Sequence, residues 1–139
     1  MIALYTSHWR SPILADVDAQ IVSISRGQPR WKLPFSYRRL DALAPDDRTW
    51  ALEDRESFEA SYLGQLEALG ADRVLGDLDR VAGNRPTIML CWERLEDPDE
   101  YCHRLTLAGF LGREAGIVVP ELGPGDLPQR EDVVERRLF

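Results

Sequence analysis

The sequence predicts an α/β fold: one domain on a mostly parallel sheet of about four or five strands, with helices on both faces. Three observations carry this expectation. Short β-branched runs alternate along the chain with amphipathic stripes of helical period. Between Thr87 and Pro120 a strand, a capped helix and a second strand follow one another, the order of a βαβ unit, which implies parallel pairing. The length of 139 residues, 44% of them apolar and 29% charged, suits a single buried core rather than a disordered chain.

The elements follow in order. "IALY" (Ile2–Tyr5) and "QIVSIS" (Gln20–Ser25) read as short buried strands ending in polar residues, and "SPILADVDA" between them holds room for one short helix. From Gly27 to Pro45, prolines and glycine stand among aromatics and arginines. That composition describes a long shaped loop with a helical turn at Tyr37–Leu43, and loops of that length in compact domains are often functional. Phe58, Tyr62, Leu66 and Leu69 line one side of a helix stopped by Gly70, and Val74, Leu75, Leu78 and Val81 line another stopped by Gly83. "TIMLC" (Thr87–Cys91) is the clearest strand. After it Asp97 is placed to cap a helix from Pro98 to Arg113, with Pro98 at its first position and Glu100 closing a capping box. Tyr101, Leu105, Ala108 and Leu111 form that helix's apolar face, and "GIVVP" (Gly116–Pro120) is the last strand. The α/β domain thus spans residues 1–122 and a polar tail residues 123–139, a layout of the doubly wound, Rossmann-like kind.

The formal net charge is −7, which argues against a general nucleic-acid coat. Residues 1–40 nevertheless carry six basic and two acidic side chains, a surplus of four, leaving −11 for the remainder. A basic N-terminal third suits a phosphate or carboxylate ligand. Apolar runs fall far short of the roughly 18 residues needed to span a bilayer. No basic region precedes a long apolar stretch, so a soluble, cytoplasmic protein is expected. In a reducing compartment the two cysteines would stand as thiols. Cys91, Cys102 and His103 offer three metal-ligand types, but neighbours on one helix point about 100° apart, so no metal site is expected. There is no glycine-rich phosphate loop and no dinucleotide fingerprint, and no cofactor is assigned.

Ligands of parallel sheets bind beyond the carboxyl ends of the strands. Here those ends deliver Thr6, Ser7 and His8, then Ser25 and Arg26, then Cys91 and Glu93, with Cys102, His103 and Arg104 on the following helix. Glu93 and His103 are the candidate acid/base groups and Cys102 the candidate nucleophile. Ser7, His8, Arg26, Cys91 and Arg104 are the candidate substrate-binding residues. Arg26 and Arg104 are expected to face one cleft and hold a phosphate, and Glu93 and Arg104 to form a charge-assisted pair at its floor. Each residue also has a bland reading: buried cysteines pack as small hydrophobes, and Trp9 and Trp31 fill a core as readily as they stack on a base.

"LYTSHW", "SISRGQP", the Phe-Tyr-Leu stripe of the long helix and, above all, "LCWE" followed by "CHR" give the chain a family likeness. It resembles the Domain of Unknown Function 488 family, in which a strand ending Leu-Cys-x-Glu precedes a Cys-His-Arg triplet at a helix start. The resemblance covers roughly Leu4 to Val119 and falls on Cys91, Glu93, Cys102, His103 and Arg104, with Arg26 and Pro29 matching an Arg-x-x-Pro step. Ile24 stands where that family commonly has Asp. The resemblance implies no activity. Two classes stay open: an enzyme acting on a nucleic acid or nucleotide-like substrate, and a non-catalytic anion- or nucleic-acid-binding module in which the same cluster is structural.

Overall fold

A computed structural model describes residues 2–92 and 101–130. Four strands, β1 (Leu4–His8), β2 (Gln20–Ser23), β3 (Arg38–Arg39) and β4 (Thr87–Cys91), form one parallel sheet in the order β1-β4-β2-β3. The last strand in sequence is therefore central. β4 pairs Thr87 with Leu4 on one side and with Gln20 on the other. Every residue of β4 is buried, which is why it reads as an unbroken apolar run.

Side chains of β4 alternate between two cores. Met89 and Cys91 face α2 (Arg55–Leu69), α3 (Ala71–Ala82) and α4 (His103–Ala115), packing with Tyr62, Leu66, Leu78, Leu107 and Phe110. Ile88 and Leu90 face the opposite side, with Trp9, Leu14, Val17 and Leu122. Among the described residues that second face carries no long helix. A 3-10 turn at Pro12–Ala15, the aromatic loop and the segment around Leu122 and Leu127 cover it. A four-residue helix, α1 (Asp47–Trp50), precedes α2, and the side chains of Asp46 and Asp54 cap these two helices through the amides of Thr49 and Ser57. Gly70, at φ 85, breaks α2 from α3, a conformation that a side chain would strain. Among the described residues no helix is long and apolar enough to cross a membrane.

Several expectations change. The anticipated cap at Asp97–Glu100 lies outside the described residues, and α4 begins at His103 rather than Pro98. Cys102 is extended at φ −130, ψ 141, because its side chain must reach back to Cys91. The buried face of α4 is His103, Arg104, Leu107, Phe110 and Leu111, while Leu105 stays 39% exposed. Helical periodicity missed that face because an arginine sits in it. "GIVVP" is no strand. A single parallel bridge joins Glu121 to Thr6 along the outer side of β1, Pro120 has no amide to extend the ladder, and Val118 is exposed. The turn expected at Tyr37–Leu43 is β3 followed by a 3-10 turn at Asp41–Leu43. Of the polar tail, residues 123–130 dock: the Asp18 amide donates to the Pro128 carbonyl and the Arg130 amide to the Asp16 carbonyl.

Candidate functional site

Beyond the carboxyl ends of β2 and β4 the two following segments part. The one after β2 runs to the aromatic face, and α4 lies on the helical face. Neighbouring strands whose connections diverge in this way leave a crevice between them. Here it is a cleft of about 310 Å³ walled by Trp50, Phe58, Trp92 and Tyr101, with Ser25, Arg26 and Gly27 on one side and Cys102 and His103 at its floor. Glu53, Asp54 and Arg55 form the rim. Trp92 is fixed by its indole N–H, which donates to the Gly27 carbonyl at 3.1 Å. The Arg26 guanidinium lies 5.4 Å from the Trp50 ring and donates to Asp47 and to the Pro45 carbonyl, while the Arg55 guanidinium lies 5.1 Å from the Tyr101 ring.

Under the cleft lies a buried cluster. Cys91 and Cys102 are joined as a disulfide, with their Cα atoms 6.9 Å apart. The expectation of free thiols is corrected: an extended Cys102 beside the end of β4 places the sulfurs in contact. Arg104, wholly buried, donates from Nη1 to Cys91 Sγ at 3.1 Å and from Nε to Glu121 Oε1 at 2.6 Å. The Thr6 hydroxyl donates to the same Glu121 oxygen. His103 donates from Nε2 to the Ile24 carbonyl at 2.6 Å, which fixes the neutral tautomer and leaves Nδ1 as an acceptor 3.9 Å from Cys102 Sγ. Burial lowers the His103 pKa from 6.5 to about 4, with the Arg104 cation adding to the effect and the Ile24 hydrogen bond opposing it. At neutral pH this imidazole is uncharged, its one N–H held by Ile24, and no imidazolium is present to act as a general acid.

Of the residues singled out from sequence, Arg26, Cys102 and His103 meet at the cleft, with Cys91 directly beneath. Ser7, 2% exposed within β1, and His8 at its end do not line it. Arg104 does not reach it either. The expected two-arginine phosphate cleft is therefore absent from the described residues, because Arg104 is turned into the core toward Glu121. Glu93 lies outside the described residues, and the partner found for Arg104 is Glu121, carried in by the bridge beside β1. Sequence reasoning missed Glu121 and the aromatic wall. The one available signal was "DDRTW", where Asp46 followed three residues later by Thr49 marks a helix start just before Trp50. No family model, characterised protein or solved structure matches the chain.

Proposed function

We propose that the cleft binds a planar, nucleobase-like group, as in a nucleotide or the end of a single strand, and that the protein is an enzyme acting on it through Cys102. The observation that carries this reading is the lining: four aromatic side chains around a cleft of about 310 Å³ with polar groups at one side and a Cys–His pair at the floor. Stacking on such rings contributes about 1–3 kcal/mol per base and tolerates any base. Arg26 and Arg55 are offset by Glu53 and Asp54 at the rim, and each arginine already has an acidic partner. That balance favours a heterocycle with a single phosphate over a polyphosphate. His103, neutral and held by Ile24, orients Cys102 by accepting from it once the disulfide is reduced. Membership in the Domain of Unknown Function 488 family and a cytoplasmic setting, where the thiol form is favoured, belong to the same proposal.

A specific observation favours the second reading, a binding module without turnover: Cys91, Cys102, His103 and Arg104 are all buried against one another. Titration of the protein with nucleosides, nucleoside monophosphates and short single strands, followed by tryptophan fluorescence, tests both. Saturable binding is expected, weakened about tenfold or more by Trp50→Ala. Arg26→Ala should abolish any preference for monophosphate over nucleoside. Absence of binding, or a Trp50→Ala variant that binds like the parent, rejects the cleft reading. Binding with no product formed under reducing conditions selects the module.

A further inference from the structure

We infer that, when the Cys91–Cys102 bond is reduced, Cys91, Cys102 and His103 form a zinc site whose fourth position opens into the cleft. The two sulfurs and a ring nitrogen of His103 lie within 4.8 Å of one another, and all three residues are buried. A tetrahedral zinc, with bonds of about 2.3 Å to sulfur and about 2.0–2.1 Å to nitrogen, holds such donors about 3.5–3.8 Å apart. The 3.9 Å between Cys102 Sγ and His103 Nδ1 already fits. Adjacent residues seldom share a metal when both are helical. Here Cys102 is extended and only His103 is helical, so the divergence that argues against a shared ion is gone.

The surroundings are those of a metal site. The Ile24 carbonyl takes the Nε2 proton of His103, the outer partner that fixes a ligating imidazole in place and aims Nδ1 inward. Arg104, anchored by Glu121, donates to Cys91 Sγ and so tempers a thiolate's charge. The Cα separation of 6.9 Å is wide against the roughly 5.5–6 Å of most disulfides, leaving room for an ion between opened sulfurs. Cys102 and His103 border the cleft, so water or a ligand can complete the sphere. Two sulfurs and one imidazole select zinc over calcium or magnesium, and two thiolates neutralise its charge. The chemistry balances. A dithiol reductant transfers two electrons and two protons to the Cys91–Cys102 bond and becomes a disulfide itself; zinc then displaces the two thiol protons. The oxidised chain is the metal-free state. This inference does not depend on which ligand the cleft takes: in the zinc-bound chain Cys102 and His103 Nδ1 are ligands, and the Cys102 thiol is free to react only in the reduced, zinc-free chain.

The test uses the full chain with oxygen excluded, oxidised or reduced by a phosphine, equilibrated with zinc and freed of excess. About one zinc per chain is expected after reduction and none before. Cobalt(II) in its place should give sulfur-to-metal charge-transfer bands and intense tetrahedral d–d absorption. His103→Gln should weaken zinc binding at least tenfold and alter the cobalt spectrum. Cys102→Ser should lose stoichiometric binding. Should either variant fail to fold, the oxidised–reduced comparison of the parent decides alone. Reduced parent protein that holds no stoichiometric zinc, or holds the same amount as the oxidised form, overturns the site, as does a folded His103→Gln variant with unchanged affinity and cobalt spectrum.

Discussion

Arg104 has no exposed surface, yet the side chain of its partner Glu121 keeps 40% of its area in water. The two sides of this pair are therefore unequal. Removing Glu121 strands a guanidinium in the core with Cys91 Sγ as its remaining described partner, whereas removing Arg104 leaves a carboxylate that turns to solvent. Glu121→Ala should destabilise by about 2–4 kcal/mol and Arg104→Met by clearly less, with the double variant losing less than the sum. Denaturant unfolding of the three proteins checks this, and equal losses would contradict it. His103 allows a second prediction. Its folded pKa of about 4 lies below the ordinary 6.5, so the unfolded chain binds more protons between those values. The resulting stability is complete above pH about 6.5 and is lost as pH falls toward 4, by roughly 3 kcal/mol in all. In the oxidised, chelator-treated protein, His103→Gln should flatten that slope; an unchanged slope would assign it to other groups.

Tyr62 of α2 donates its hydroxyl to the Leu43 carbonyl at 2.6 Å, tying the 3-10 turn before α1 to the helix that forms one wall of the cleft. Burial pushes its phenol well above the ordinary pKa, so the group stays a donor at all working pH values. Tyr62→Phe leaves that carbonyl unsatisfied in the core and should cost about 1–3 kcal/mol, measured by thermal or denaturant unfolding. Elements of this size were legible in proportion to their length. α2, α3 and β4 carry stripes or runs long enough for a period to show, and their stops at Gly70 and Gly83 were plain. β3 has two residues and α1 four, too few for any period. The start of α4 was misread because contacts of Cys102 and His103 with the sheet, rather than local capping preference, place it. Within the site, Arg26, Cys102 and His103 were legible because strand and helix ends announce themselves. Trp50, Phe58 and Trp92 were not, since only the tertiary fold brings these separate stretches to one cleft.

Across the whole molecule, the sheet order places β4 between β1 and β2, so the two N-terminal strands do not pair with each other. Leu4 finds its partner only at Thr87, and Gln20 finds the same residue. In the N-terminal part of the chain β1 thus has no strand partner and β2 has only the two-residue β3, until the central strand is added and completes the sheet. Pairing across such long loops is slow and leaves strand edges open to other chains meanwhile. A fragment of residues 1–86 should show no cooperative unfolding transition and should be digested readily by protease, while the full chain resists. A cooperative transition in that fragment would mean that the helical layer organises without the sheet. The same order makes Cys91 the residue that emerges as the sheet closes, so Cys102 meets its partner only on an already assembled scaffold.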